Sequence, residues 1–150
     1  MSLRLDEKIQ TMPRKTLKLI QVALGIVVDE QTHVLTALRP LHYPQGGLWE
    51  FPGGKFEPQE TPFQALQREF QEEVGITVHK AEFLITVKQR YPHAMIELNA
   101  FKVLDYSGVP YGREGQLLQW VNQDKLLGLN FPKGNQKIIE CFLKNYGSVR

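Results

Sequence analysis

The segment "GGKFEPQETPFQALQREFQEEVGI", residues 53–76, constrains this chain more than any other. It carries a full set of helix signals in order. Thr61 suits an N-cap, Pro62 suits the first helical position, and Gln64 completes a Thr-x-x-Gln capping box. Gly75 supplies a left-handed stop. Between them Phe63, Leu66, Phe70 and Val74 form one apolar stripe at spacings of three and four. At about 100° per residue, Glu69, Glu72 and Glu73 gather about 110–120° away from that stripe. The helix is expected to dock by its aromatic face and to present three carboxylates along one edge. Like charges at these spacings destabilise a helix. The bland reading is a solvated acidic face, the fate of most charge runs. Against it stand the adjoining glycines, Glu60 and Arg68.

The rest of the chain alternates strand-like and helix-like patterns. Residues 17–29, "LKLIQVALGIVVD", and 34–40, "VLTALRP", read as two strands joined by a turn. Residues 41–54 hold two Pro and four Gly and read mostly as loop, with "LWEF" as a short strand. Residues 81–92 and 94–106 form a hairpin of long strands, and 115–122 form another strand. A short helical turn in "DKLLGLN" precedes a C-terminal helix over 133–146, with Ile138, Ile139, Phe142 and Leu143 facing inward. A mixed sheet covered by helices on both faces, an α/β class with an α/β/α sandwich, is the economical arrangement.

At 150 residues the chain is long enough for one domain with a real core, expected over 18–150 after a flexible N-terminal extension at 1–17. A composition 42% hydrophobic and 23% charged argues against wholesale disorder. A net charge of +2 is too small for a surface that coats nucleic acid or adheres to membranes. No apolar run approaches a membrane span, and the first residues show no signal-peptide pattern. A single cysteine, Cys141, rules out an internal disulfide and fits a reducing, cytoplasmic setting; its apolar-periodic neighbours suggest a buried core residue. A monomer is expected.

Gly54, Glu60, Arg68, Glu69, Phe70, Glu72, Glu73, Gly75 and Ile76 stand at the spacing of the Nudix signature: Gly, five residues, Glu, seven residues, Arg-Glu, apolar, any, Glu-Glu, any, Gly, apolar. Chance alone would meet the seven fixed identities at fewer than about one starting position in 10⁸. The chain thus resembles the Nudix hydrolases. The resemblance implies a divalent cation, Mg²⁺ with Mn²⁺ as a substitute, held by oxygen ligands during cleavage of a diphosphate bond. It further implies Glu69, Glu72 and Glu73 as metal-binding and catalytic carboxylates, Arg68 as the residue that orients them, and a backbone carbonyl at Gly53 as a further metal contact. Glu60 takes a structural role. Which carboxylate deprotonates the attacking water is left open.

From about Lys18 to Phe142 the chain also looks like the MutT-type 8-oxo-dGTP diphosphatases, through "LWEFPGGK", "GREGQLLQW" and "NFPKGN". That likeness implies Glu114 as another catalytic or metal-associated carboxylate, with a turn-stabilising acid between Gly112 and Gly115 as the alternative. It implies Asn135 as a reader of a guanine-type edge, with a helix N-cap as the other role. Arg39 resembles a substrate-contacting arginine at a strand end, and Glu50 and Phe51 resemble nucleoside-pocket residues, although Phe51 also suits the core. The subgroup carries a basic residue after its Tyr-Pro-like pair, where this chain has His93 and Ala94. The implied partner is a small-molecule nucleotide. A Nudix hydrolase for ADP-ribose, a dinucleotide or a pterin triphosphate is the alternative, and a non-catalytic nucleotide-binding module is a third reading.

Overall fold

Alternation along the first strand decides which helix covers which face of the sheet. The computed structural model describes residues 18–42 and 46–147, so the extension expected at 1–17 lies outside the described residues. In chain order the elements are β1 (Lys18–Ile26), β2 (His33–Leu38), β3 (Trp49–Glu50), β4 (Gly53–Lys55), α1 (Pro62–Val74), β5 (Thr77–Tyr91), β6 (Ala94–Ser107), β7 (Leu117–Asn122), a 3-10 turn (Gln123–Gly128) and α2 (Asn135–Tyr146). Successive strand side chains point to opposite faces. Ala23 packs with Ala65, Leu66, Phe70 and Val74 of α1, whereas Leu24 and Ile26 pack with Ile138, Ile139 and Phe142 of α2. The two helices therefore sandwich the sheet, as the sequence suggests. Gly25 lies beneath Phe70, where a Cβ would come within 2.7 Å of the ring. Full burial of Leu66 and Phe70 contributes about 1.5–3 kcal/mol each.

The central sheet runs β4-β1-β6-β5 and is mixed: β1 and β6 are parallel, and the other pairs are antiparallel. A second sheet, β3-β2-β7, is wholly antiparallel. It is tied to the first where the Leu35 N–H donates to the Val27 carbonyl at 2.9 Å. The second sheet is not evident from sequence.

Several boundaries move. β1 ends at Ile26, and β5 begins at Thr77 as the chain leaves α1. Gly53–Lys55, expected partly as loop, is the short strand β4 paired to Leu24, Ala23 and Val22. Helix α1 matches its signals: Gln64 N–H donates to Thr61 Oγ1 at 3.1 Å, Thr61 N–H donates to Gln64 Oε1 at 3.0 Å, and Gly75 closes the helix at φ 69°. The N-cap reading of Asn135 does not hold. Gly134 caps α2 with φ 98° and no side-chain cap bond, so Asn135 is the first helical residue. Cys141 is half-buried, not a core residue, because it lies beside the inward stripe of Ile138 and Phe142.

Candidate active site

The site is built where β4 crosses the middle of α1. Strand β4 approaches β1 so closely that a Cβ on Gly53 would run into the Ala23 carbonyl and sit 2.7 Å from Leu24 Cα. Only glycine permits this approach. It leaves the Gly53 N–H directed at α1, where it donates to Glu73 Oε2 at 2.9 Å. Gly54 acts through empty space. A Cβ there would lie 2.5 and 2.6 Å from the two oxygens of Glu69, so the missing side chain makes room for that carboxylate.

Arg68 organises the outer edge. Its Nε and Nη2 donate to the two oxygens of Glu60 at 2.7 and 2.9 Å, and Nη2 also donates to the Lys55 carbonyl at 2.8 Å. Nη1 reaches Glu69 Oε1 at 2.9 Å and Glu72 Oε2 at 3.2 Å. The bidentate Arg68 bond holds the Glu60 carboxyl below its usual range, and Glu60 in turn raises the guanidinium. Arg68 thereby links Glu60 and the end of β4 to Glu69 and Glu72 on α1.

Burial dominates the inner carboxylates. It raises Glu69 despite the hydrogen bond from Arg68, with the charges of Glu72 and Glu114 adding to the rise. It raises Glu73 strongly, opposed by the Gly53 N–H and reinforced by Glu50, Glu69 and Glu114. Glu69, Glu73, Glu50 and Glu114 thus share one electrostatic neighbourhood. Glu72 stands more exposed and turns toward Arg68.

Glu114 arrives from a distant segment. The turn from Gly112 to Gly115 closes through the Gly115 N–H on the Gly112 carbonyl at 3.0 Å. It is fastened to the C-terminal end of α1: Tyr111 N–H donates to the Val74 carbonyl, and Arg113 N–H to the Glu73 carbonyl, both at 3.1 Å. The backbone of Glu114 serves the turn, while its side chain is exposed and adds charge beside Glu69 and Glu73.

Two of the residues expected to bind substrate, Phe51 and Asn135, lie around the loop before α2. Phe51 is buried and its ring stacks on Phe131 with centroids 4.8 Å apart. Trp49 N–H donates to the Asn130 carbonyl at 2.7 Å, which ties β3 to the same loop. Asn135 is buried, and its Nδ2 donates to the Pro132 carbonyl at 3.2 Å. Arg39 is buried just beyond β2, its backbone paired with Leu48 and Gly47. Glu50, expected to line a nucleoside pocket, precedes Phe51 at the end of β3 and stands within electrostatic reach of Glu73. His93 sits in the β5–β6 turn, where Ala94 pairs with Lys18. Six strand residues separate that position from the Leu24–Gly53 pair, roughly 20 Å along β1. Sequence reasoning gave no separate role to Phe131 or Gln116, although both lie in the segments "NFPKGN" and "GREGQ".

The donor set suits a hard divalent cation. It is all oxygen, partly desolvated, and carries negative charge that Arg68 does not fully offset. Among the described residues no three His, Cys, Asp or Glu side chains already converge as ligands. Glu69 and Glu72 are drawn to Arg68, and Glu73 is drawn to Gly53.

The chain shares 41% identity over 128 residues with an 8-oxo-dGTP diphosphatase of Haemophilus influenzae, covering 84% of this chain and 93% of that one. It shares 34% over 127 residues with a CTP pyrophosphohydrolase of Escherichia coli, covering 85% and 93%. A structure solved in work on MutT of Aliivibrio salmonicida and Vibrio cholerae superposes with a TM-score of 0.75 at 32% identity, covering 85% of this chain and 99% of that one. The NUDIX domain family matches residues 23–141, with the carboxylate helix and the glycine strand at its centre, and the chain belongs to that family.

Proposed function

We propose that the protein hydrolyses 8-oxo-dGTP, with related purine deoxynucleoside triphosphates, to the monophosphate and pyrophosphate, and so removes a mutagenic nucleotide from the pool. The observation that carries this reading is that Glu69 and Glu73 lie against the Gly53–Gly54 strand, with the charge of Glu114 acting on both. Relatives named 8-oxo-dGTP diphosphatase support the choice of substrate.

Nudix hydrolases need a divalent metal. Glu69, Glu72, Glu73, Glu114 and the Gly53 carbonyl would hold it here, with Mg²⁺ as the natural ion and Mn²⁺ as a substitute. When bound, such an ion neutralises charge on the diphosphate and on the transition state. The protein's own groups do the rest. Arg68 fixes Glu69 and limits where Glu72 can turn, and the Gly53 N–H fixes Glu73. Burial makes Glu69 and Glu73 more basic, so these two are the candidates to take the proton of the attacking water. Phe51 and Phe131 offer an aromatic wall for the base, with Asn135 reading its edge and Arg39 contacting substrate.

Residues 18–150 act as one catalytic domain, as a monomer in the cytoplasm. Among the described residues no helix is long and apolar enough to cross a membrane. A second reading, a pyrimidine nucleoside triphosphate pyrophosphohydrolase, is favoured by the CTP-cleaving relative. Hydrolysis in ¹⁸O-water tests the reaction itself. Attack at the β-phosphorus, with the monophosphate as leaving group, places label in pyrophosphate, and chelator abolishes turnover. Release of orthophosphate and a nucleoside diphosphate would overturn the reading.

A further inference from the structure

Gln116 joins two parts of the site through one amide. Its Nε2 donates to the Glu73 carbonyl at 2.9 Å, and its Oε1 accepts from the Glu114 N–H at 3.0 Å. Only a group with a donor and an acceptor at this spacing makes both bonds. The Glu73 carbonyl belongs to the last turn of α1, where carbonyls lack a partner within the helix. Arg113 secures the same end separately: its N–H donates to Glu73 O at 3.1 Å and its Nη1 to the Gln71 carbonyl at 2.7 Å. The turn is also tight, since a Cβ on Gly112 would run into the Gln116 carbonyl. Glu73 is thus held at both ends, by Gly53 at its carboxylate and by Gln116 and Arg113 at its carbonyl.

We propose that Gln116 is a positioning residue whose side chain clamps the Glu114 turn onto α1 and sets Glu114 in register with Glu73. The inference rests on the reading of Glu114 as a working carboxylate. Tyr111 and Arg113 keep the start of the turn fastened to α1, so loss of the Gln116 amide releases the Glu114 N–H and the Glu114 side of the turn while α1 stays folded.

The test compares Gln116→Met, which keeps the length but neither bond, with Gln116→Glu, which keeps only the acceptor. Glu114→Gln and the double variant Gln116→Met/Glu114→Gln complete the set. In metal-free protein, amide exchange at Glu114 should quicken by at least about tenfold in Gln116→Met, while the α1 amides keep their protection. Its kcat with Mg²⁺ should fall about 10–100-fold with KM little changed. Gln116→Glu should keep much of the Glu114 amide protection yet lose kcat, because it cannot donate to Glu73. Adding Gln116→Met to Glu114→Gln should cost nothing further. Unchanged exchange at Glu114, or losses that multiply in the double variant, would overturn the clamp alone. Full turnover in Glu114→Gln would overturn the reading of Glu114 and the positioning role with it. Should Gln116→Met fail to fold, Gln116→Ser, which is too short for either bond, carries the same comparison.

Discussion

The carboxylate of Glu69 occupies the volume that a side chain on Gly54 would need. Gly54→Ala should therefore push Glu69 out of place while β4 stays paired with β1. The flexible end of Glu69 can swing aside, so stability should change by less than about 1 kcal/mol, whereas a displacement near 1 Å at a reacting centre costs about 100-fold in turnover. Urea denaturation and kcat on one variant check both effects. Wild-type turnover in Gly54→Ala would remove Glu69 from the reaction.

Arg68 makes five hydrogen bonds with a geometry that only a guanidinium supplies. Arg68→Lys keeps the charge but cannot reach Glu60 bidentately and Glu69 at once. The expected outcome is a loss of about 2 kcal/mol in stability and a fall of about tenfold or more in kcat. Thermal unfolding alongside steady-state rates measures both, and a silent Arg68→Lys would mean that the network does not orient the site.

The inner carboxylates set a pH dependence for the metal-free protein. Burial raises Glu69 and Glu73 above the ordinary value of 4.5, so the folded state holds their protons more tightly than the unfolded state does. Their contribution is fully present below that value and is lost as pH rises through the folded values. Glu60 has the opposite sign. Its lowered value gives stability above 4.5 that is lost as pH falls toward the folded value. The melting temperature without metal should fall as pH rises above the ordinary carboxylate value of 4.5 through the raised values of Glu69 and Glu73. Glu73→Gln should flatten that fall and raise the melting temperature at the alkaline end. Saturating Mg²⁺ should raise it in the parent protein. A melting temperature of the metal-free parent that climbs across this range would contradict the assignment.

Asn135 donates to the Pro132 carbonyl and is not an N-cap. Asn135→Ala should cost about 1 kcal/mol in stability through that bond. If its amide also reads a guanine-type edge, kcat/KM should fall roughly 5–150-fold, and more for 8-oxo-dGTP than for dGTP. An unchanged ratio between the two nucleotides would confine Asn135 to holding the loop.

Much of this was legible in the sequence because α1 is specified locally. Thr61, Pro62, Gln64 and Gly75 fix its ends, and the Phe63-to-Val74 stripe fixes its buried face. Strand β4 was not legible. Three residues including two glycines have little intrinsic strand preference, and pairing with β1 supplies it. The neighbours of Glu114 were equally hidden, since the bonds from its turn to Glu73 and Val74 span some forty residues of sequence. The influence of Glu50 on Glu73 was hidden as well, because pairing of β3 with β2 and not sequence spacing brings the two together. At Asn135, a left-handed Gly134 starts α2 one residue earlier than the cap pattern suggests.

The most direct test of the central claim is kcat/KM for 8-oxo-dGTP, dGTP and CTP with Mg²⁺, with the products identified. The expected result is 8-oxo-dGMP and pyrophosphate, with 8-oxo-dGTP the best substrate of the three and no turnover after chelation. Preferential cleavage of CTP, or turnover that survives chelation, would contradict it.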